Sequence, residues 1–154
     1  MSFRVRGLSP DPFRKYFEMP DAALREIGAL RVIAAEPGLP CRVSLRHAPV
    51  GDELLLLNYE HQPANTPYRA SHAIYVCRSS TEPFDEVDVV PEVIVSRLVS
   101  VRAFDTRHMM VDAEVIEGQH AAALFDRLLS DPATGYLQVH NAKRGCYSAR
   151  VERA

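Results

Sequence analysis

Long hydrophobic runs are absent from this sequence. No stretch approaches 18 consecutive apolar residues, and the N-terminal segment MSFRVRGLSPDPF has no apolar run of signal-peptide length. These absences argue against a membrane-spanning segment and against a secretory leader. We therefore expect a cytoplasmic protein that does not bind membranes.

Cysteine and net charge are also scarce. Cys41, Cys77 and Cys146 are an odd and widely spaced set, which argues against a disulfide framework and fits a reducing compartment. The formal net charge of -2 at pH 7 provides no basic excess, so nucleic acid is not an expected partner. A chain of 154 residues with 47% hydrophobic composition is typical of one globular domain, here residues 1–154.

Common cofactor and catalytic signatures are missing as well. The sequence has no C-x-x-C or H-E-x-x-H pattern, no G-x-G-x-x-G or Walker sequence, and no G-x-S-x-G elbow. A metal site could still assemble from Cys41, His61, His140 and Cys146, but no ligand spacing favours it. We therefore predict no metal and no cofactor.

Short alternating segments separated by Pro and Gly dominate the chain. Before the terminal hairpin, they predict strands at 3–8, 30–34, 41–45, 53–59, 71–77, 97–104 and 109–116. The run Leu54–Leu57 predicts a strand buried on both faces at the centre of a sheet. Residues 87–95 contain Pro91 and predict an edge strand or an irregular crossing. The acidic residues 85–88 are expected in a solvated loop.

Helices are predicted near the N-terminus and before the last hairpin. Asp11 and Asp21 are expected to cap two short helices, the second ending at Gly28, and 119–130 carries an apolar stripe. The short connections favour a mainly antiparallel, twisted sheet packed by these helices, in a single α+β domain. A curled, barrel-like sheet is the alternative.

Two side-chain orientations follow from the strand at 109–116. Alternation predicts that Met109, Val111, Ala113 and Val115 face the core while Asp112 and Glu114 face solvent. If Arg102 of the preceding strand is partly buried, it would need a carboxylate partner. Asp112 is expected roughly opposite it.

The hairpin at 136–151 is the clearest local structure in the sequence. A three-residue loop, Lys143-Arg144-Gly145, would pair Ala142 with Cys146 and His140 with Ser148. Leu137, Val139, Asn141, Tyr147, Ala149 and Val151 would then face the core. His140 and Cys146 would be diagonal neighbours on the other face, roughly 7–8 Å apart. That face either meets water or carries a site.

Two candidate sites emerge. A thiol site would use Cys146 as nucleophile and His140 as base, with positive charge from Arg144 or Arg150, although free cysteine mostly packs as a small hydrophobe. A ligand site would use the polar loop 61–70 and its neighbours to hold a carboxylate or phosphate. Alternatively, the loop's polar groups satisfy its own backbone. The ligand candidates are Arg42, His61, Tyr68, Arg69 and His72.

Four segments, PCRVSL at 40–45, LLLNYEHQPANTPYRASHAI at 55–74, SVRAFD at 100–105 and VHNAKRGCYSARVER at 139–153, resemble an uncharacterised bacterial family. It is the domain-of-unknown-function family numbered twelve-oh-three. The resemblance covers nearly the whole chain and implies a small, single-domain, cytoplasmic protein. It brings no catalytic role and no cofactor.

Three functions remain open from the sequence. The first, which we prefer, is a binding domain for a small anionic metabolite. The second is a thiol enzyme using Cys146 and His140, and the third is a non-enzymatic homodimer formed through an edge strand. A cavity shared by Cys41, the loop 61–70 with His72, and the His140–Cys146 face would favour an enzyme or a binding pocket.

Overall fold

Strands outnumber helices in the computed structural model, which describes all of residues 1–154. The strands are β1 Phe3–Arg6, β2 Leu30–Ile33, β3 Glu53–Gln62, β4 Ala70–Cys77, β5 Asp85–Val87, β6 Leu98–Phe104, β7 Met110–Glu117, β8 Tyr136–Asn141 and β9 Tyr147–Arg153. The helices are α1 Arg14–Phe17, α2 Asp21–Glu26, α3 Glu92–Val95 and α4 Ala121–Ser130, with 3-10 turns at Asp11–Phe13 and Gly118–His120. None of these helices has the length and apolar composition needed to cross a membrane.

The strands form two separate antiparallel sheets. The large sheet has the order β5-β1-β9-β8-β6-β7, and the small sheet has the order β2-β3-β4. All strand pairs within them are antiparallel. The expected α+β fold is confirmed, whereas the barrel-like alternative is wrong because neither sheet closes on itself.

One hydrophobic core joins the large sheet to α4. Helix α4 buries the stripe that its sequence predicts: Ala121, Leu124, Phe125, Leu128 and Leu129. These side chains pack with apolar residues of β1, β6, β8 and β9, including an edge-to-face contact between Phe3 and Phe125. Strand β1 is paired on both sides, by β5 and β9, and buries Phe3 and Val5 while Arg4 and Arg6 are more exposed.

A second core joins the small sheet to the N-terminal helices. Strand β3 is the middle strand of this sheet and buries Leu54 and Leu55 completely, as the leucine run predicted. Phe13, Phe17 and Leu24 from the helical segment belong to the same core. Strand β3 extends further than expected, through Gln62, so His61 lies in a strand rather than in the following loop.

The predicted strand at 41–45 does not form. The segment is a buried turn in which Leu45 N–H donates to the Cys41 carbonyl and Leu45 has a φ of +53°. Cys41, Val43 and Leu45 are nonetheless fully buried. Arg42 is 1% exposed as well, so burial does not alternate along this segment and the predicted strand is wrong.

Residues 85–95 also differ from expectation. Asp85–Val87 is strand β5 rather than a solvated loop, because its backbone pairs with β1 and Asp85 pairs with Arg4 and Arg6. The segment after Pro91 is helix α3 rather than an edge strand. Proline at the start of a helix loses no hydrogen bond, which explains why Pro91 precedes a helical turn.

Strand β7 presents the opposite face to the one predicted. Val115 is 56% exposed, and Val111 and Ala113 are also exposed. Asp112 and Glu114 face α4 instead, where both pair with Arg127. The face follows from the pairing with β6, in which the buried Val101 and Ala103 lie opposite Glu114 and Asp112.

The exposure of Val115 leads to a stability prediction. A Val115→Thr substitution should change the free energy of unfolding by less than about 0.5 kcal/mol, because the side chain already meets water. Val101→Thr, at a fully buried position of the adjacent β6, should cost about 1–3 kcal/mol. Urea unfolding of both variants measures the difference. Similar losses in the two would contradict the observed face of β7.

The terminal hairpin contains a bulge that alternation did not reveal. Leu137 pairs with Val151 and Val139 with Ala149, as predicted, but His140 pairs with Tyr147 instead of Ser148. Asn141 N–H donates to the Cys146 carbonyl, so the loop spans 142–145 and the three-residue loop is wrong. Gly145 has the expected left-handed φ, +81°.

The bulge has a large effect on side-chain placement. It turns Tyr147 away from Leu137 and Val139, and the ring stacks on His61 of β3 instead. Both faces of β8 are buried, and His140 is 0% exposed, so this face does not meet water. The small sheet covers it, which brings β3 and β4 beside the hairpin.

Candidate functional site

Arg42 is the most unusual residue of the molecule, because it is 1% exposed and contacts no carboxylate. Its Nε donates to the Tyr147 carbonyl at 2.7 Å, and Nη1 donates to the Pro40 carbonyl at 2.6 Å. Its Nη2 donates to Cys146 Sγ at 3.1 Å. Burial lowers the pKa of Arg42, which Cys146 partly opposes. The guanidinium is therefore a buried positive charge held by neutral backbone groups and a thiol.

Cys146 lies beside this guanidinium at the end of the hairpin loop. The residue is 8% exposed, and its Sγ accepts a second hydrogen bond, at 3.2 Å, from Asn141 Nδ2. Ser148 Oγ donates to Asn141 Oδ1 at 3.3 Å and so fixes the amide. Asn141, expected to point into the apolar core, contributes to this polar cluster instead.

A cavity of about 400 Å³ opens next to Cys146, and we call it the arginine cavity. Its charged and polar lining is Arg42, His72, Arg97, Asn141, Arg144 and Cys146, and no carboxylate is among its lining residues. Leu39, Leu56 and Tyr75 contribute apolar surface. The cavity therefore combines three guanidinium groups with one thiol.

The two remaining arginines differ in how they are held. Arg97 is half-buried and donates from Nη2 to the Gly38 carbonyl at 2.6 Å, and burial lowers its pKa. Arg144 is exposed, in the loop of the terminal hairpin, and makes no ion pair. Arg144 is thus the guanidinium with the most donors free for a ligand.

A second recess adjoins the arginine cavity and shares Arg97, Asn141 and Arg144 with it. Its volume is about 450 Å³, and Lys143 and Glu117 also line it. Two other recesses, of about 490 and 520 Å³, lie elsewhere on the surface and mix acidic with basic residues. Among these four, the arginine cavity is the one whose charged groups are all basic.

His140 is buried in a separate polar network between the two sheets. Its ring is 4.7 Å from the His61 ring, and Nδ1 is 3.0 Å from the Gly145 carbonyl. Gln138 links the two histidines, with its Oε1 2.9 Å from His61 Nδ1 and 3.2 Å from His140 Nε2. Burial lowers the pKa of His140 to about 3, assisted by the positive charge of Arg102. Burial also lowers the pKa of His61.

The structure does not join His140 to Cys146 by a hydrogen bond. Both His140 nitrogens lie against Gly145 and Gln138, whereas Cys146 Sγ is bonded by Arg42 and Asn141. The thiol and the histidine are therefore neighbours along the hairpin that belong to different clusters. Arg150, named as a possible source of charge, lies over the Tyr136 ring at 3.8 Å and pairs with Glu152.

The five ligand candidates are divided between three places. Arg42 and His72 line the arginine cavity, and His61 belongs to the network with His140. Arg69 is exposed and paired with Glu60 at 3.1 Å. Tyr68 is partly exposed, and its ring packs edge-to-face against Phe104. The loop itself does not converge on the cavity.

Cys41 lies outside the cavity too. Its Sγ is 3.3 Å from Ser80 Oγ and accepts the Cys77 backbone N–H at 3.3 Å. A hydrogen bond between the two thiols lowers the pKa of Cys41 and raises that of Cys77. All three cysteines are free, and no three His, Cys, Asp or Glu side chains converge in a group that could hold a metal ion. One cavity shared by Cys41, His61, His140 and Cys146 does not exist.

Arg102 lacks the partner that was expected for it. It lies opposite Ala113, and its Nε donates only to Ser100 Oγ, at 3.3 Å. Asp112 is on the other face of β7 and pairs with Arg127. The ion pair between Arg102 and Asp112 is therefore wrong, because the register of β7 moved Asp112 toward α4.

The site contains residues that sequence reasoning did not assign to a ligand. The sequence suggested no ligand-binding role for Arg97, and it suggested Arg144 only as a source of positive charge near the thiol. The feature that they share is a position near a strand end. Arg97 follows Ser96 and precedes β6, and Arg144 precedes Gly145 in the loop between β8 and β9. That signal is too common to identify a site.

Comparison with known proteins identifies the family. The pattern of the family described as "Protein of unknown function (DUF1203)" matches residues 38–153, so the chain belongs to that family. The match includes every residue that lines the arginine cavity. No curated protein and no solved structure matches the chain.

Proposed function

We propose that this member of the DUF1203 family binds a small anion in the arginine cavity. The observation that carries the proposal is Arg42, a buried cation with no carboxylate partner. Buried charges in proteins are paired or bound to ligands, because removing an ion from water is costly. A bound anion would supply the missing negative charge.

Arg42 and Arg144 would have different roles in binding. Arg42 donates hydrogen bonds to Tyr147, Pro40 and Cys146, so its position is fixed and it contributes a positive charge to the cavity. Arg144 has no ion pair and can offer its planar fork to a carboxylate or phosphate. A ligand with two or more negative charges, such as a phosphate or a polycarboxylate, best matches this set.

Substitution of Arg144 tests the proposal. Arg144→Gln should weaken binding of inorganic phosphate or citrate by about tenfold to a hundredfold, since one charge-assisted hydrogen bond contributes about 1.5–3 kcal/mol. Isothermal titration calorimetry of both anions at low ionic strength measures the change. Arg107→Gln, at an exposed arginine in the β6–β7 turn with no ion pair, should leave affinity unchanged.

Two results would count against anion binding. One is the absence of any heat or melting shift with phosphate, citrate or a panel of phosphorylated and carboxylated metabolites. The other is an equal loss of affinity in Arg144→Gln and Arg107→Gln, which would indicate general attraction to positive charge. Strong weakening confined to Arg144→Gln supports the cavity as the binding site.

We further expect this binding to take place in the bacterial cytoplasm. The three free thiols support a reducing compartment, in which unpaired cysteines persist. The thiol enzyme is the second candidate, and Cys146 in the lining of the arginine cavity favours it. The structure lends little support to His140 as its base, because His140 is bonded elsewhere and its pKa is about 3.

A further inference from the structure

We propose that Cys146 is a thiol that reacts selectively with small anionic disulfides drawn into the arginine cavity. The inference rests on the proposed anion binding and names the class of molecule that the same site would accept. It depends on three features of one cavity: a nucleophilic sulfur, three guanidinium groups in the lining, and open volume beside the sulfur.

The sulfur and the positive charges are in direct contact. Cys146 Sγ is 3.1 Å from Arg42 Nη2, and Arg97 lines the same cavity as Cys146. Arg144 lies two residues before Cys146 and lines the same cavity. An anionic reagent that binds these arginines is thereby held beside Sγ.

Thiol–disulfide exchange balances in atoms and electrons without a further reactant. The Cys146 thiolate attacks one sulfur of an anionic disulfide, a new S–S bond forms to Cys146, and the original S–S bond breaks. The departing half leaves as a thiolate that carries the electron pair and takes a proton from water. No electron acceptor beyond the disulfide itself is needed.

The shape of the site suits a disulfide with charge on both halves. The arginine cavity of about 400 Å³ would hold the half that stays on Cys146. The adjoining recess, of about 450 Å³, shares Arg97 and Arg144 and adds Lys143, so it can receive the departing thiolate. The cavity's apolar side, formed by Leu39, Leu56 and Tyr75, has room for the uncharged part of the molecule.

The other two thiols lack this arrangement. Cys41 is fully buried, and no arginine donates to its Sγ. Cys77 is 3% exposed and opens toward recesses that also contain carboxylates. Selectivity for an anionic reagent is therefore specific to Cys146, and peptide mapping by mass spectrometry can locate the modification.

The experiment compares an anionic with a neutral reagent. The initial rates of reaction with dithiobis(nitrobenzoate), which is dianionic, and with dithiodipyridine, which is neutral, are measured on the folded protein in the same buffer. Their ratio is divided by the same ratio for N-acetylcysteine amide, an uncharged reference thiol, which removes the intrinsic reactivity of the reagents. Because the same thiolate attacks both reagents, the ratio also removes the thiolate fraction and reports charge selection.

The normalised ratio should be about ten or more at Cys146, in keeping with the effect of a charged cleft on association rates. It should fall several-fold in Arg144→Gln and in high salt, and stay unchanged in Arg107→Gln. A normalised ratio near one overturns the inference. So does modification that maps to Cys41 or Cys77, or no modification of Cys146 in the folded protein.

Anion binding by the wild type, measured separately from the reaction, distinguishes this inference from the proposed function. If the wild type binds phosphate or citrate while the normalised ratio is near one, only the reactivity inference fails. If the wild type binds no anion and the ratio is near one, anion binding fails as well. Anion binding by the wild type, together with loss of the fast reaction in Cys146→Ser, supports both.

Discussion

A Gly118→Ala variant is expected to lose more than about 3 kcal/mol of folding free energy, which is at the severe end for a single methyl group. A Cβ at Gly118 would lie 1.7 Å from the Ile94 carbonyl oxygen and 2.7 Å from that of Arg97. Both obstacles are backbone atoms, so no side-chain rotation relieves them. Gly118 N–H also donates to the Arg97 carbonyl at 2.7 Å, which fixes this close approach.

The effect should extend to the arginine cavity, because the same contact positions the backbone of Arg97. Chemical denaturation measures the loss, with Gly28→Ala as the matched control. Gly28 has a φ of +75° and no atom within 4 Å of an added Cβ, so alanine there should cost only about 1–2 kcal/mol. Equal losses in the two variants would mean that the contact at Gly118 is easily relaxed.

Acidification is expected to destabilise the protein strongly through His140. The folded-state pKa of His140 is about 3, below the ordinary value of 6.5, because the ring is buried and lies near Arg102. The unfolded chain therefore binds the extra proton between pH 6.5 and pH 3, and stability falls as pH falls through that window. Between pH 7 and pH 4, His140 should account for a loss on the order of 3 kcal/mol.

The measurement is the free energy of unfolding against pH for wild type and for His140→Gln. The variant should be less stable at pH 7, because it loses hydrogen bonds, but its stability should fall less steeply with acid. His120→Gln, at an exposed histidine before α4, should retain the wild-type slope. Parallel curves for wild type and His140→Gln would show that His140 is not held neutral by burial. His61 contributes in the same direction, so comparison of the variants is needed to isolate His140.

This titration bears on function as well as on stability. A histidine that is neutral at pH 7 and bonded on both sides serves the packing of β8 against β3. Its low pKa makes it a weak base, so a rate profile of Cys146 reactivity should show no inflection from His140 near pH 6.5. The two residues that the sequence placed together thus have separate roles in the structure.

Much of the fold could be predicted from local patterns. The leucine run predicted the central strand of the small sheet, and the apolar stripe at 119–130 predicted the buried face of α4. One error lies where an extra residue shifts an alternation, at the bulge in β9, and another lies at β7, whose apolar residues face solvent. Because side chains alternate with a period of two, a single extra residue reverses a face, and apolar pattern alone does not show where the ladder is interrupted.

The candidate site was predicted only in part. Arg42 and Cys146 were each singled out, but for separate sites and with different partners. Arg42 lies in a segment predicted to be a strand that is a buried turn, and Cys146 follows a loop whose length was misjudged. Arg97 and His72 come from two further parts of the chain.

The sequence by itself determined the α+β class, the main helix, the central leucine strand and the turn glycine of the last hairpin, because each depends on contacts between residues close in the chain. Only the tertiary structure decided that the small sheet covers the hairpin, that Arg42 is buried without a carboxylate, and that three arginines line one cavity with Cys146. These features depend on how the two sheets pack. The residues that meet there are 42, 97, 144 and 146 in the chain, and no local pattern links them.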